Sequence, residues 1–145
     1  QTCALPIFPF APKDFARCLN ATCPRSQNCL RRTAALQDTD EHLFLKVVNP
    51  LRYPKEGEEC ELFRSTDKVR MAWGVTHLLD NVPYKEGSLL RNMIINHLGR
   101  SQYYRCFRKE RPFSPQDQQT IRLLFRQRGI SEEPSFDYYT NEFNW

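Results

Sequence analysis

The chain of 145 residues is 40% hydrophobic, 12% aromatic and 26% charged, with six cysteines and a net charge of +4. That length and apolar content suit one domain with an ordinary core. A mean hydropathy of -0.65, with no apolar run near the roughly 18–20 residues of a bilayer span, excludes a helical membrane protein. No glycine-rich phosphate loop, Gly-x-Ser-x-Gly or His-Glu-x-x-His occurs, and His42, His77 and His97 are scattered. The chain is therefore read as non-enzymatic, with no catalytic residue assigned.

Residues 1–7, Gln-Thr-Cys-Ala-Leu-Pro-Ile, resemble the translation of a common sequencing-adapter oligonucleotide and are set aside together with Cys3. Residues 8–145 are predicted to form a single domain: a cysteine-rich lobe over 8–64, a helical half over 65–130 and an acidic aromatic tail over 131–145. Pro9, Pro12 and Pro24 interrupt any long helix at the start. Residues 26–36 suit a short helix with Leu30, Ala34 and Leu36 inward. The run His-Leu-Phe-Leu-Lys-Val-Val over 42–48 is predicted to be the strand of the molecule, ended by Asn49-Pro50. A polar loop then leads into Cys60.

Cys18, Cys23 and Cys29 follow the pattern C-x4-C-x5-C, and Cys60 stands far downstream. Thiolates are soft ligands, so these four select zinc or an iron–sulfur cluster over magnesium or calcium. The spacing lacks the two close cysteine pairs of many zinc sites. Three sulfurs from one loop with a remote fourth also suit a [4Fe–4S] cube, and Cys23-Pro24 resembles the Cys-Pro that ends some cluster loops. Either group would clamp a lobe with little apolar mass, structural zinc contributing roughly 10–16 kcal/mol of apparent binding free energy. Two disulfides are the alternative, in keeping with the formal glycosylation triplet Asn20-Ala21-Thr22, although Cys106 would then be left over. Reduced structural thiols are a third reading. Cys106 itself reads as a small buried apolar residue.

The second half is predicted to be helical. Ser65 or Thr66 would cap a helix to about Leu79, with Met71, Ala72, Val75, Leu78 and Leu79 on one side. A second helix over 85–98 puts Leu90, Met93, Ile94 and His97 or Leu98 inward and ends at Gly99. A third runs over 101–109. The fourth has the clearest limits: Ser114 as cap, Pro115 at its first position, Asp117 at its third and Gly129 beyond its last turn, with an inward stripe of Ile121, Leu124 and Phe125. Five rings in the tail (Phe136, Tyr138, Tyr139, Phe143, Trp145) are too apolar to stay free, so it docks on the body or on a protein partner.

Residues 88–128 carry nine basic side chains against Glu110 and Asp117, whereas the tail from Ser131 has four acids and no base. The imbalance points to a polyanion surface or to a tail folded onto the basic face. The order of helix, Gly99, short helix and capped helix, with Tyr103-Tyr-Arg-Cys-Phe-Arg-Lys at its centre, resembles the helix-turn-helix of small repressor-like domains. The resemblance implies duplex DNA as a partner, with Arg100, Gln102, Arg105, Arg108 and Lys109 as base-edge and phosphate contacts and Tyr103 and Phe107 facing the core. Arg100 stands where that motif is apolar and Ile95 where it is small. The competing reading is a helical bundle whose arginines pair with Glu132, Glu133, Asp137 and Glu142.

Across its whole length the chain resembles an uncharacterised bacterial family known only as a domain of unknown function. The matching stretches are Cys18-x4-Cys-Pro-x4-Cys-Leu-Arg, Val48-Asn-Pro, Cys60 through Phe63-Arg-Ser-Thr, Ala72-Trp-Gly, Tyr103-Tyr-Arg, Gln119-x-x-Ile-Arg-x-Leu-Phe and Asn144-Trp. It implies a small cytoplasmic protein and no activity. The expectation is thus a mainly α fold with a small β element, a cysteine-rich irregular N-terminal lobe packed on a helix-turn-helix-like C-terminal half. Its expected function is that of a metal-stabilised binding module. A small iron–sulfur or redox protein, or an adaptor acting through the tail, are the alternatives.

Overall fold

The computed structural model describes residues 11–38 and 42–145; the adapter-like segment lies outside them. Four helices and one two-stranded antiparallel sheet make up the regular structure: α1 (Leu30–Gln37), β1 (Lys68–Trp73), α2 (Tyr84–Leu98), α3 (Arg100–Phe107), α4 (Pro115–Gln127) and β2 (Tyr138–Phe143). The molecule is therefore mainly α with a small β element. The chain divides into two compact units, one running through Asp67 and taking in Phe143–Trp145, the other spanning Lys68–Glu142.

The first unit is built mostly from irregular chain. A 3-10 turn over Ser26–Asn28 passes directly into α1, with Cys29 as the residue between them. Its buried cluster contains Phe15, Leu30, Ala34 and Phe143, with Ala11 and Trp145 against it. The Trp145 ring packs edge-on to Phe15 at 5.3 Å and to Phe143 at 5.9 Å, so the aromatic tail closes this small core. Arg17 is the buried cation: its guanidinium donates to Asp38 (2.7 Å) and to the carbonyls of Pro12, Lys13 and Phe15. Burial of that charge is tolerable because a carboxylate and three carbonyls accept from its Nε and Nη1.

The predicted strand over 42–48 is not formed. Only Val47 bridges, in parallel, to Arg17, and Leu43 and Phe44 are each 92% exposed. Composition favours a strand there, but a strand needs a neighbour along its length, and among the described residues one bridge is all this run acquires. Leu36, expected inward, is exposed at the end of α1.

The second unit has the larger core: Ala72, Val75, Leu78, Leu90, Ile94, Tyr103, Cys106, Phe113, Ile121 and Phe125. Helix α2 packs on α3 and α4, and α4 packs on β1. Helices α2, α3 and α4 fall within a residue or two of their predicted limits. Ser114 caps α4 by accepting from the Asp117 amide (3.2 Å), while the Asp117 carboxylate accepts from the Ser114 amide (3.0 Å), a reciprocal capping box. In α3 it is Tyr103 and Cys106 that face inward, and Phe107 is half exposed. At 3.6 residues per turn, the i, i+3 pair faces one core here and the predicted i, i+4 partner turns outward.

The predicted helix over 66–79 is overturned. Residues 68–73 form β1, paired with β2 and bridged through Ala72 to Phe113 by two hydrogen bonds of 3.1 and 2.7 Å. Trp73 stacks on Tyr138 and donates from Nε1 to the Thr140 hydroxyl (2.7 Å). The apolar spacing suits a helix locally, but strand partners from far along the chain outweigh it. Ser65 is no cap either, since its hydroxyl donates to Asp67 (2.6 Å) and accepts from the Asp67 amide.

Candidate functional site

Backbone pairing draws the four cysteines together from separate segments of the first unit. The Cys18 amide donates to the Arg31 carbonyl (2.9 Å), which ties the first cysteine to α1. Cys29 bridges antiparallel to Ser65, and the Leu30 amide donates to Arg64 (2.7 Å), which ties α1 to the segment following Cys60. The Cys23 and Cys60 carbonyls accept from Ser26 and Phe63 and close local turns. Three-dimensionally, Cys18, Cys23, Cys29 and Cys60 all line one cavity of about 20 Å³, room for a single water-sized guest. All four are free thiols, Cys29 buried and the others half-buried.

Arg31, Arg32 and Arg52 line the same cavity, and no carboxylate does. Arg31 is anchored by donating to the carbonyls of Leu62 (2.8 Å) and Ala16 (2.9 Å). Its guanidinium loses affinity for its proton through burial and the nearby Arg64 charge, offset by the Cys29, Cys18 and Cys60 side chains. Cys23 and Cys60 also border a wider cleft of about 520 Å³ whose charged lining is Arg25, Lys55, Glu56 and Glu58. As the side chains lie, however, no group of three or more His, Cys, Asp or Glu residues among the described residues is gathered tightly enough to hold a metal ion. Neutral thiols attract one another only weakly, so nothing in the protein alone would draw four sulfurs to one point.

In the second unit four of the nine arginines are matched to acids. Arg122 and Arg126 share Glu133 (2.6 and 3.6 Å), Arg128 meets Glu86 (2.7 Å), and Arg108 meets its neighbour Glu110 (2.6 Å). Lys109 lies 3.1 Å from Asp137, and Arg70 sits over the Tyr139 ring. Among the five residues expected to contact DNA, Arg108 and Lys109 are thus paired, and Gln102 accepts from Arg111 (2.8 Å). Arg100 makes no side-chain bond or ion pair among the described residues, and Arg105 lies within electrostatic reach of Glu110 and Cys106 without a bond to either. Gly99 alone separates α2 from α3, shorter than the turn of about 3–4 residues in a helix-turn-helix.

Two features escaped the sequence reading. Arg31 and Arg32 follow Cys29 closely, and that adjacency of thiol and guanidinium was a usable signal. Nothing local pointed to Arg91, which lines a cleft with Arg100 and Tyr104 of α3. Cys106 is buried as expected, and burial pushes its thiol pKa up.

Fold and sites together define a small α-rich protein with a thiol-lined cavity in one unit and an arginine-rich helical surface in the other. The chain belongs to the family described as a family of unknown function (DUF6078), whose model matches residues 5–145. The expected membership of a family of unknown function, carried by the cysteine, Ala72-Trp-Gly and Asn144-Trp stretches, is therefore correct. No curated protein and no solved structure matches the chain. No helix among the described residues is long and apolar enough to cross a membrane.

Proposed function

We propose that Cys18, Cys23, Cys29 and Cys60 bind one soft metal ion, zinc before iron, and that the chain is a non-enzymatic module whose first unit is stabilised by it. The observation that carries this reading is a single cavity lined by four thiols and three guanidiniums with no carboxylate. A zinc ion with four thiolates bears a net charge of 2−, and Arg31 and Arg32 supply the opposing charge, Arg52 being paired with Glu61 at 3.2 Å. The ion provides the attraction that neutral thiols lack, so side-chain rotation toward it completes the ligand set. A cavity of about 20 Å³ favours a single ion over a four-iron cube. A first-unit core with four buried members gives such a clamp a structural purpose.

The iron–sulfur reading shares these ligands and ranks second on size. Duplex DNA is the weaker reading of the helical unit, because three of its five proposed contacts are engaged within the chain. The adaptor reading loses ground because Phe143 and Trp145 are engaged in the small core.

Elemental analysis and absorbance of anaerobically purified protein test the proposal. One zinc per chain, lost in Cys18→Ser and Cys60→Ser, is the expected result. Iron with a broad visible absorbance would move the assignment to a cluster. Metal-free protein that takes up no zinc with all thiols reduced would remove it.

A further inference from the structure

A second site lies between α2 and α3. Ser88, Arg91, Asn92 and Ile95 on α2 and Arg100 and Tyr104 on α3 line a cleft of about 380 Å³. Positions 88, 91, 92 and 95 recur at helical spacing, so they form one stripe, and the one-residue joint at Gly99 brings Arg100 and Tyr104 against it. The volume lies within the range of small-molecule sites, about 300–1,000 Å³.

What marks this cleft is two arginines on one acid-free lining. Arg108, Arg122, Arg126 and Arg128 each face a carboxylate. Arg91 and Arg100 share a cleft with no carboxylate in its lining. Arg91 also lies close enough to the buried Tyr103 side chain to act on it electrostatically. Two like charges held near one another repel unless an anion lies between them.

We infer that the α2–α3 cleft binds a phosphoryl group, clamped between Arg91 and Arg100. Two guanidiniums match a phosphomonoester, which carries about 1.5–2 negative charges at neutral pH, better than a carboxylate with one. Guanidinium forks engage phosphate oxygens in bidentate pairs. Ser88 and Asn92 add hydrogen-bonding groups, and Tyr104 with Ile95 offers an apolar wall for whatever the phosphate is attached to. The phosphoryl group belongs either to a small monoester or to a nucleic-acid backbone, and the chemistry of capture is common to both. The site is independent of the cysteine cavity.

Calorimetric titration of the full chain at low ionic strength with inorganic phosphate, a nucleoside monophosphate, sodium acetate and a short DNA duplex tests the inference. Saturable binding of phosphate and monophosphate is expected, with acetate at least about tenfold weaker. Arg91→Gln and Arg100→Gln should each weaken binding about tenfold or more, and Ser88→Glu, which sets an anion at the cleft, should abolish it. Arg122→Gln, whose guanidinium is occupied by Glu133, should change nothing. Duplex binding lost in the same variants, with a steep salt dependence, would identify a backbone phosphate as the source. Duplex binding without monophosphate binding, and as sensitive to Arg105→Gln as to Arg91→Gln, would overturn the cleft. So would the absence of saturable phosphate binding, acetate binding as tight as phosphate, or affinity indifferent to Arg91 and Arg100. Ser88→Glu keeps the inference falsifiable if Arg91→Gln disturbs folding through Tyr103.

Discussion

Lys109 Nζ lies 3.1 Å from the Asp137 carboxylate, a contact that ties the end of α3 to the residue before β2. Lys109 itself has a φ of 60°, the left-handed conformation that stops the helix and turns its side chain toward that acid. Asp137 also accepts from the Thr76 amide (3.0 Å) and hydroxyl (2.7 Å), while its own amide donates to Trp73 (3.0 Å). One residue thus joins β1 through its backbone amide, and the turn after β1 and the end of α3 through its carboxylate. A lysine read from the sequence as a phosphate contact is part of this lock.

The lock is pH-dependent with a definite sign. Burial pushes the Asp137 carboxyl up, but hydrogen bonds from Thr76 and Lys109 and the Lys109 charge outweigh it, and the net pKa is lowered. A depressed folded-state pKa stabilises the protein fully above the unfolded value of about 3.9. That contribution is lost as pH falls through the folded-state pKa. Unfolding titrations of wild type and Asp137→Asn should therefore diverge above about pH 4 and converge in stronger acid. Parallel curves at every pH would show the contacts to be inconsequential. Asp137→Ala should cost roughly 1.5–3 kcal/mol at neutral pH.

Gly74 tests the same junction by sterics. Its φ is 72°, and a Cβ there would overlap the Asp137 carboxylate and lie 2.7 Å from Lys109 Cε. Gly74→Ala should destabilise by more than the roughly 1–3 kcal/mol of a strained backbone alone. Gly57 is the control, because its φ is 84° and nothing lies within 4 Å of the added atom. Gly57→Ala should cost only about 1–2 kcal/mol. Equal denaturation midpoints for the two variants would contradict this account.

The capping box of α4 predicts a smaller and more local effect. Ser114→Ala removes the acceptor for the Asp117 amide and should lower stability by about 1 kcal/mol. Hydrogen exchange should quicken in the first turn of α4 before it does at Ile121 or Phe125, both buried in the core. Uniform acceleration along the helix would argue against a capping role.

The cysteines should separate by reactivity. Under native conditions an alkylating reagent should modify Cys23 and Cys60, which border the open cleft, well before Cys106, whose thiol is buried and whose pKa is raised. On the metal reading, added zinc should protect Cys18, Cys23, Cys29 and Cys60 and leave Cys106 unaffected. Cys60→Ser should then loosen the first unit to protease while α2, α3 and α4 stay resistant. Protection of none of the four by zinc would contradict that reading.

Helices α2, α3 and α4 were legible before any coordinates because their signals are local. Ser114-Pro115 with Asp117 starts a helix, and Gly99 and Gly129 end two, through bonds and φ values settled within a few residues. The clustering of the four cysteines in one lobe was legible for the opposite reason, since few residue types share that chemistry. Other features depended on partners distant in the chain. Residues 68–73 became a strand because β2 and Phe113 offered hydrogen bonds. Residues 42–48 stayed open because only Arg17 did. The arginines divided by the same rule. Those that met Glu133, Glu86 or Glu110 in space were neutralised, and Arg91 and Arg100 were left around an acid-free cleft. Caps and breakers act through their own backbone, whereas strand pairing and charge matching require chain segments that meet only when the protein is folded.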